Sequence, residues 1–137
     1  MRSIDCGTIS STVARLCQEA NVDLGSDVLR SLKKALEMEE SSLGREVLAQ
    51  IIENSEIARN ERIPLCQDCG TAIIFLELGQ DAHITGGGLM DALSEGVRRG
   101  YAEGYLRKSM VAGPLFGRRN TGDNTPPVVH IGVVPGD

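Results

Sequence analysis

Ala92, Gly96, Gly100 and Gly104 recur every four residues within a stretch of otherwise helical spacing. Residues four apart share one side of an α-helix. The stretch from about Leu89 to Lys108 therefore predicts a long helix with a strip of bare backbone. Each glycine inside a helix costs about 1 kcal/mol relative to alanine. That cost needs an offset, which is close approach of another element or of a cofactor; ordinary close packing on a strand or helix is the simpler of the two. Val97, Tyr101 and Tyr105 lie on an adjoining strip. The run Gly86-Gly87-Gly88 opens this helix, but it lacks the G-x-G-x-x-G or P-loop frame that cradles phosphate.

Upstream, Ile9, Val13, Leu16, Cys17 and Ala20 are spaced as one helical face over residues 9–20. Residues 21–25 read as a turn, and Ser26 is placed to cap a second helix reaching about Glu40, with Val28, Leu32 and Leu36 inward. A third helix fits about 43–59, and Pro64 blocks its continuation. Thr71–Leu78, "TAIIFLEL", then reads as a strand, and its continuous apolar centre predicts burial on both faces. "AHIT" makes a second extended piece, 113–127 a loop rich in Gly, Pro, Asn and Asp, and "VVHIGVV" at 128–134 a last strand. Helices first, then strands mixed with one helix, give an α+β class. The chain is expected to be a single domain over 1–137, helical over 1–60, with strands and the long helix over 61–137. It ends on a Pro-Gly turn signal, which reads as the front part of a longer protein.

A chain of 137 residues, 41% of them apolar, can bury a core, and with aromatics at 3% that core must be aliphatic. A net charge of −5 argues against nucleic acid or an anionic membrane as partner. No stretch is apolar for long enough to span a bilayer, and "MRSIDCGTISS" has no apolar signal core, so the expected location is cytoplasmic. In that reducing setting Cys6, Cys17, Cys66 and Cys69 are better read as core thiols or metal ligands than as disulfides. Cys17 falls on the apolar helix face and reads as core.

Cys66 and Cys69 form a C-x-x-C pair. A structural zinc site needs four ligands, and Cys6, Cys17, His83 and His130 do not supply a second pair at zinc spacing. His83 and His130 read as core histidines. A thioredoxin-like dithiol sits between a strand and a following helix, whereas this pair follows a helix and precedes a strand. The leading account is one functional cysteine and one incidental one. Gln67 and Asp68 put a donor–acceptor amide and a carboxylate next to Cys66.

"PLCQDCGTAIIFLELG" resembles the signature of the iron–sulfur hydro-lyases known as class I fumarases, a family that includes the L-tartrate dehydratases. "GYLRKSMV" at 104–111 and "RRNTGDNTPPVVHIGVVPGD" at 118–137 agree with it in order. The resemblance covers most of residues 60–137 and extends loosely to the first helices. It implies the N-terminal part of an alpha-type subunit or domain. It also implies a [4Fe–4S] cluster held by three cysteines, Cys66 being the one in this chain, with an open iron acting as Lewis acid. Gln67 and Asp68 match the substrate-contact pair, and Asp68 is the candidate catalytic group, orienting the base or handling a proton. Arg107 matches an arginine that grips a substrate carboxylate. Asn120, Asp123 and Asn124 suit a loop shaping the site's edge, with Arg118 and Arg119 adding positive potential. The chain departs from the pattern at Cys69, where the family carries Thr. The implied reaction is reversible hydration of fumarate to L-malate, with L-tartrate dehydration as the alternative. It requires a beta-type subunit and the rest of the alpha-type half, so the chain alone is expected to be inactive and prone to oligomerise. A reading of another class is a non-catalytic assembly module whose C-x-x-C binds zinc or nothing.

Overall fold

A computed structural model describes residues 2–137. The element order is β1 (Ser3–Asp5), α1 (Cys6–Val22), α2 (Ser26–Met38), α3 (Ser42–Glu61), β2 (Ile73–Gly79), β3 (His83–Thr85), α4 (Leu89–Glu103), β4 (Val111–Ala112), β5 (Arg119–Asn120) and β6 (Val128–Val134). The α+β class is borne out. The chain divides into two compact units: residues up to Gln18 together with Asp68–Asp137, and Glu19–Gln67. The first stretch is not wholly helical, because β1 pairs in parallel with β3, Ile4 opposite Ile84.

In the unit formed by the two chain ends, β2 and β6 pair in parallel along their whole length, from Ile73 opposite Val128 to Gly79 opposite Val134. A parallel pair needs a long crossover, and the segment between them carries α4. The core gathers Leu93, Val97 and Tyr101 of α4, Val13 of α1 and Leu106, with Ile74, Val129, Cys17 and Cys69 packed against it. The glycine strip explains how α4 reaches α1. A Cβ on Gly96 would stand 2.6 Å from the Val13 Cβ and 2.7 Å from the Ser10 carbonyl oxygen, and one on Gly100 would stand 2.8 Å from the Ala14 carbonyl oxygen. The strip is therefore helix packing. The Ser10 hydroxyl donates across the same contact to the Ala92 carbonyl at 2.9 Å.

Several local expectations change. α4 stops at Glu103 with Gly104 as its C-cap, and Tyr105 takes a positive φ of 52° and is 92% exposed, off the apolar strip. β2 is buried on one face only: Ile74 and Leu76 turn inward, while Phe75 is 80% exposed. His130, opposite Phe75 on β6, stacks on it with ring centroids 5.0 Å apart, so it is a surface residue and not a core one. His83 is exposed as well.

In the Glu19–Gln67 unit, α2 starts at Ser26 itself and Gly25 is the N-cap, so Ser26 does not cap. α3 is capped by Ser41, whose hydroxyl accepts from the Gly44 N–H at 3.3 Å, and it ends at Arg62 in the left-handed region. Arg59 donates to Asp23 at 2.5 Å and to the Leu24 carbonyl at 3.2 Å, joining the end of α3 to the turn before α2. The Leu65 N–H donates to the Asn21 carbonyl at 2.8 Å, and Asn54 donates to the Leu65 carbonyl at 2.8 Å. These bonds fix the chain as it leaves α3.

Gly96→Ala tests the α1–α4 contact. Alanine gains about 1 kcal/mol of helix propensity, but overpacking against a carbonyl costs about 1–3 kcal/mol. A net loss of about 1 kcal/mol in chemical denaturation is expected; equal or higher stability would contradict the packing account.

Candidate active site

The chain leaving α3 is extended by Pro64 and bends over Leu65–Gln67. Cys66 is exposed on this bend, and its thiol lies 3.5 Å from the Gln67 side-chain oxygen. All four cysteines are thiols outside any disulfide. Cys6 is buried against the Gly88 carbonyl, and burial pushes the Cys17 thiol up. Among the described residues, no three His, Cys, Asp or Glu side chains gather as a metal-binding group.

Asp68 begins the return to the other unit and folds back on itself. Its Oδ1 accepts from the Gly70 N–H at 3.1 Å and from the Ser109 hydroxyl at 3.0 Å. The Gly70 bond, then the Ser109 bond, hold its carboxyl below the usual range; desolvation opposes them, and the charge of Arg107 adds the smallest contribution. Gly70 has a φ of +58°, a left-handed conformation natural to glycine, and this closes the turn.

The next residue is built into the core. The Cys69 carbonyl accepts from the Tyr101 hydroxyl at 2.9 Å, and its sulfur accepts from the Arg107 backbone N–H at 3.3 Å. The Gly70 carbonyl accepts from Tyr101 at 3.2 Å and from the Asn124 amide at 2.9 Å. Burial, aided by the neighbouring Cys17 and Cys69, pushes the Tyr101 hydroxyl up to about 12, so it stays a donor. The Asn124 Oδ1 accepts from the Met110 N–H at 3.0 Å. Asn120 donates to the Lys108 carbonyl at 2.8 Å, and Asp123 accepts from Thr125 and Arg98. Those bonds, the Thr125 hydroxyl foremost, hold the Asp123 carboxyl below its ordinary value.

The structure thus brings Asp68 beside the segment that carries Arg107, and it puts the Cys66 thiol against Gln67. Arg118 and Arg119 are exposed on the β4–β5 hairpin. Sequence reasoning missed Ser109 and Tyr101. Ser109 stands two places after Arg107 in the same motif, and Tyr101 read only as part of an apolar strip.

The model of a protein family described as fumarate hydratase (fumerase) matches residues 10–137. A Methanocaldococcus jannaschii protein provisionally named L(+)-tartrate dehydratase subunit alpha is 35% identical over 122 residues, covering 86% of this chain and 42% of that protein. The anaerobic class I fumarate hydratase of Escherichia coli K12 is 42% identical over 100 residues, 72% of this chain and 18% of its own length. The L(+)-tartrate dehydratase subunit alpha of the same strain is 27% identical over 117 residues, 85% of this chain and 38% of its own. The chain therefore spans less than half the length of these relatives.

Because its folded-state pKa is depressed, Asp68 contributes stability that is fully present above the ordinary carboxylate value and lost as pH falls through the lower, folded one. Carbon-13 NMR titration should show Asp68 losing its charge below the usual midpoint of about 3.9, and Ser109→Ala should move it upward. A midpoint at or above that value in the unaltered chain would refute the geometry.

Proposed function

The chain belongs to the fumarate hydratase family, and we propose that it forms part of a [4Fe–4S] hydro-lyase that reversibly adds water to a C4 dicarboxylate, fumarate to L-malate. The observation that carries this reading is the placement of the Arg107 segment beside a held, ionised carboxylate: the Arg107 backbone N–H bonds Cys69, and Ser109 bonds Asp68. A dianionic substrate needs a cation for each carboxylate, and arginine offers two parallel donors to one of them. The Gln67 amide offers a donor and an acceptor to the substrate's oxygens. Asp68, held ionised, serves as an acceptor that orients a hydroxyl or the group handling the proton; its low pKa makes it a poor carrier of that proton at neutral pH.

The exposed Cys66 thiol fits one corner of an iron–sulfur cluster. One thiolate does not hold a cluster, so the other ligands belong to further polypeptide. When bound, such a cluster supplies a Lewis acid for the substrate's oxygens. The remainder of the alpha-type half and a beta-type subunit are the proposed partners, in the cytoplasm. L-tartrate is the second candidate substrate, since two of the relatives are named as L(+)-tartrate dehydratase alpha subunits.

The test uses the assembled protein, purified without oxygen. Iron and sulfide with fumarate hydration are expected; stoichiometric zinc without iron would point to an assembly module instead. Cys66→Ser should abolish turnover and lower iron content, while Cys69→Thr keeps both. Arg107→Lys should cut kcat/KM by about 10–100-fold, the worth of a bidentate charged bond. The 137-residue chain by itself should not turn over; robust activity from it would sink the shared-site reading.

A further inference from the structure

We propose that Asn124 and Tyr101 are positioning residues that hold the Arg107–Met110 segment against the Asp68–Gly70 turn, and thereby set where Arg107 meets a dicarboxylate. The proposal rests on the hydro-lyase reading for its substrate, but its geometry stands without it.

Asn124 is fully buried, at 0% exposure, and holds a φ of 64°. A buried polar side chain is retained at a cost unless every group is satisfied. Here both ends of the amide are used, and on different segments. Nδ2 donates to the Gly70 carbonyl at 2.9 Å, and Oδ1 accepts from the Met110 N–H at 3.0 Å. Its own N–H donates to the Thr121 hydroxyl at 3.2 Å, and the Thr121 N–H donates to the Met110 carbonyl at 3.0 Å, so the loop bearing Asn124 is bound to the same residue from both sides.

Tyr101 acts from the opposite direction. Its ring is packed in the core on α4, and its hydroxyl reaches the Cys69 and Gly70 carbonyls. The turn is thus anchored to the rigid helix by one residue and to the Met110 strand entry by the other. Between these anchors lie the two functional candidates: Asp68, two residues from Gly70, and Arg107, three residues from Met110. The direct ties, Arg107 N–H to Cys69 sulfur and Ser109 to Asp68, are exposed.

The test compares Tyr101→Phe and Asn124→Gly in the full assembly. Phenylalanine keeps the packed ring, and glycine accepts the positive φ, so neither variant adds backbone strain. Amide exchange at Arg107 and Met110 should quicken by about tenfold in Asn124→Gly, which removes the bonds to both Met110 and Gly70, and about threefold in Tyr101→Phe, which removes one hydroxyl donor, with α4 still protected. KM for the dicarboxylate should rise by a similar factor with kcat nearly unchanged, because Arg107 grips ground and transition states alike. Unchanged exchange at 107–110, or a fall in kcat at constant KM that tracks the folded fraction, overturns the proposal. If Asn124→Gly does not fold, Tyr101→Phe decides alone by the same readings. Faster local exchange in a protein that binds no dicarboxylate supports the clamp and overturns the hydro-lyase reading.

Discussion

The approach of α4 to α1 at Gly96 and Gly100 is the constraint from which the site follows. With no side chains between them, the two helices meet at backbone distance, and this sets how far α4 stands from the start of β2. Tyr101, one residue beyond Gly100, then reaches the Cys69 and Gly70 carbonyls at hydrogen-bond distance. A bulkier strip would push α4 outward and draw the hydroxyl away from the Cys69 and Gly70 carbonyls. Helix packing and the shape of the Asp68 turn are in this sense one structural decision. The interior glycines offset their propensity cost through the approach they permit.

Much of this was legible in the chain. Helical periodicity placed α1, α2 and α3 within a few residues of their observed ends, and "VVHIGVV" is β6 residue for residue. The motif around Cys66, with Arg107, marks the candidate site. What stayed hidden was decided by contacts between distant residues. Ser26 has the chemistry of a cap, but Gly25 takes that place. The apolar centre of β2 looked buried on both faces, yet Phe75 and His130 stack on an exposed one. A side chain's facing in a parallel pair depends on which layers cover the sheet, and that is not written in the strand itself. Asn124 read as a loop former because its type is common in loops; only the fold shows that its amide joins residues 70 and 110.

The C-x-x-C pair resolves along the same line. The two sulfurs have different surroundings: Cys66 is exposed beside Gln67, whereas Cys69 packs on the core and accepts from the Arg107 N–H. An accepting sulfur of that kind is chemically replaceable. A threonine hydroxyl accepts from a backbone N–H at least as well and has similar size, so the residue usual at this position in the resembling family could make the same tie. Cysteine here preserves a contact while adding a thiol whose chemistry the contact does not need. On the proposed reading Cys66 has no such equivalence, because the thiolate is the ligand that iron–sulfur clusters take. Spacing alone groups the two cysteines together. Their surroundings divide them, one exposed at the bend and the other bonded to the segment that carries Arg107.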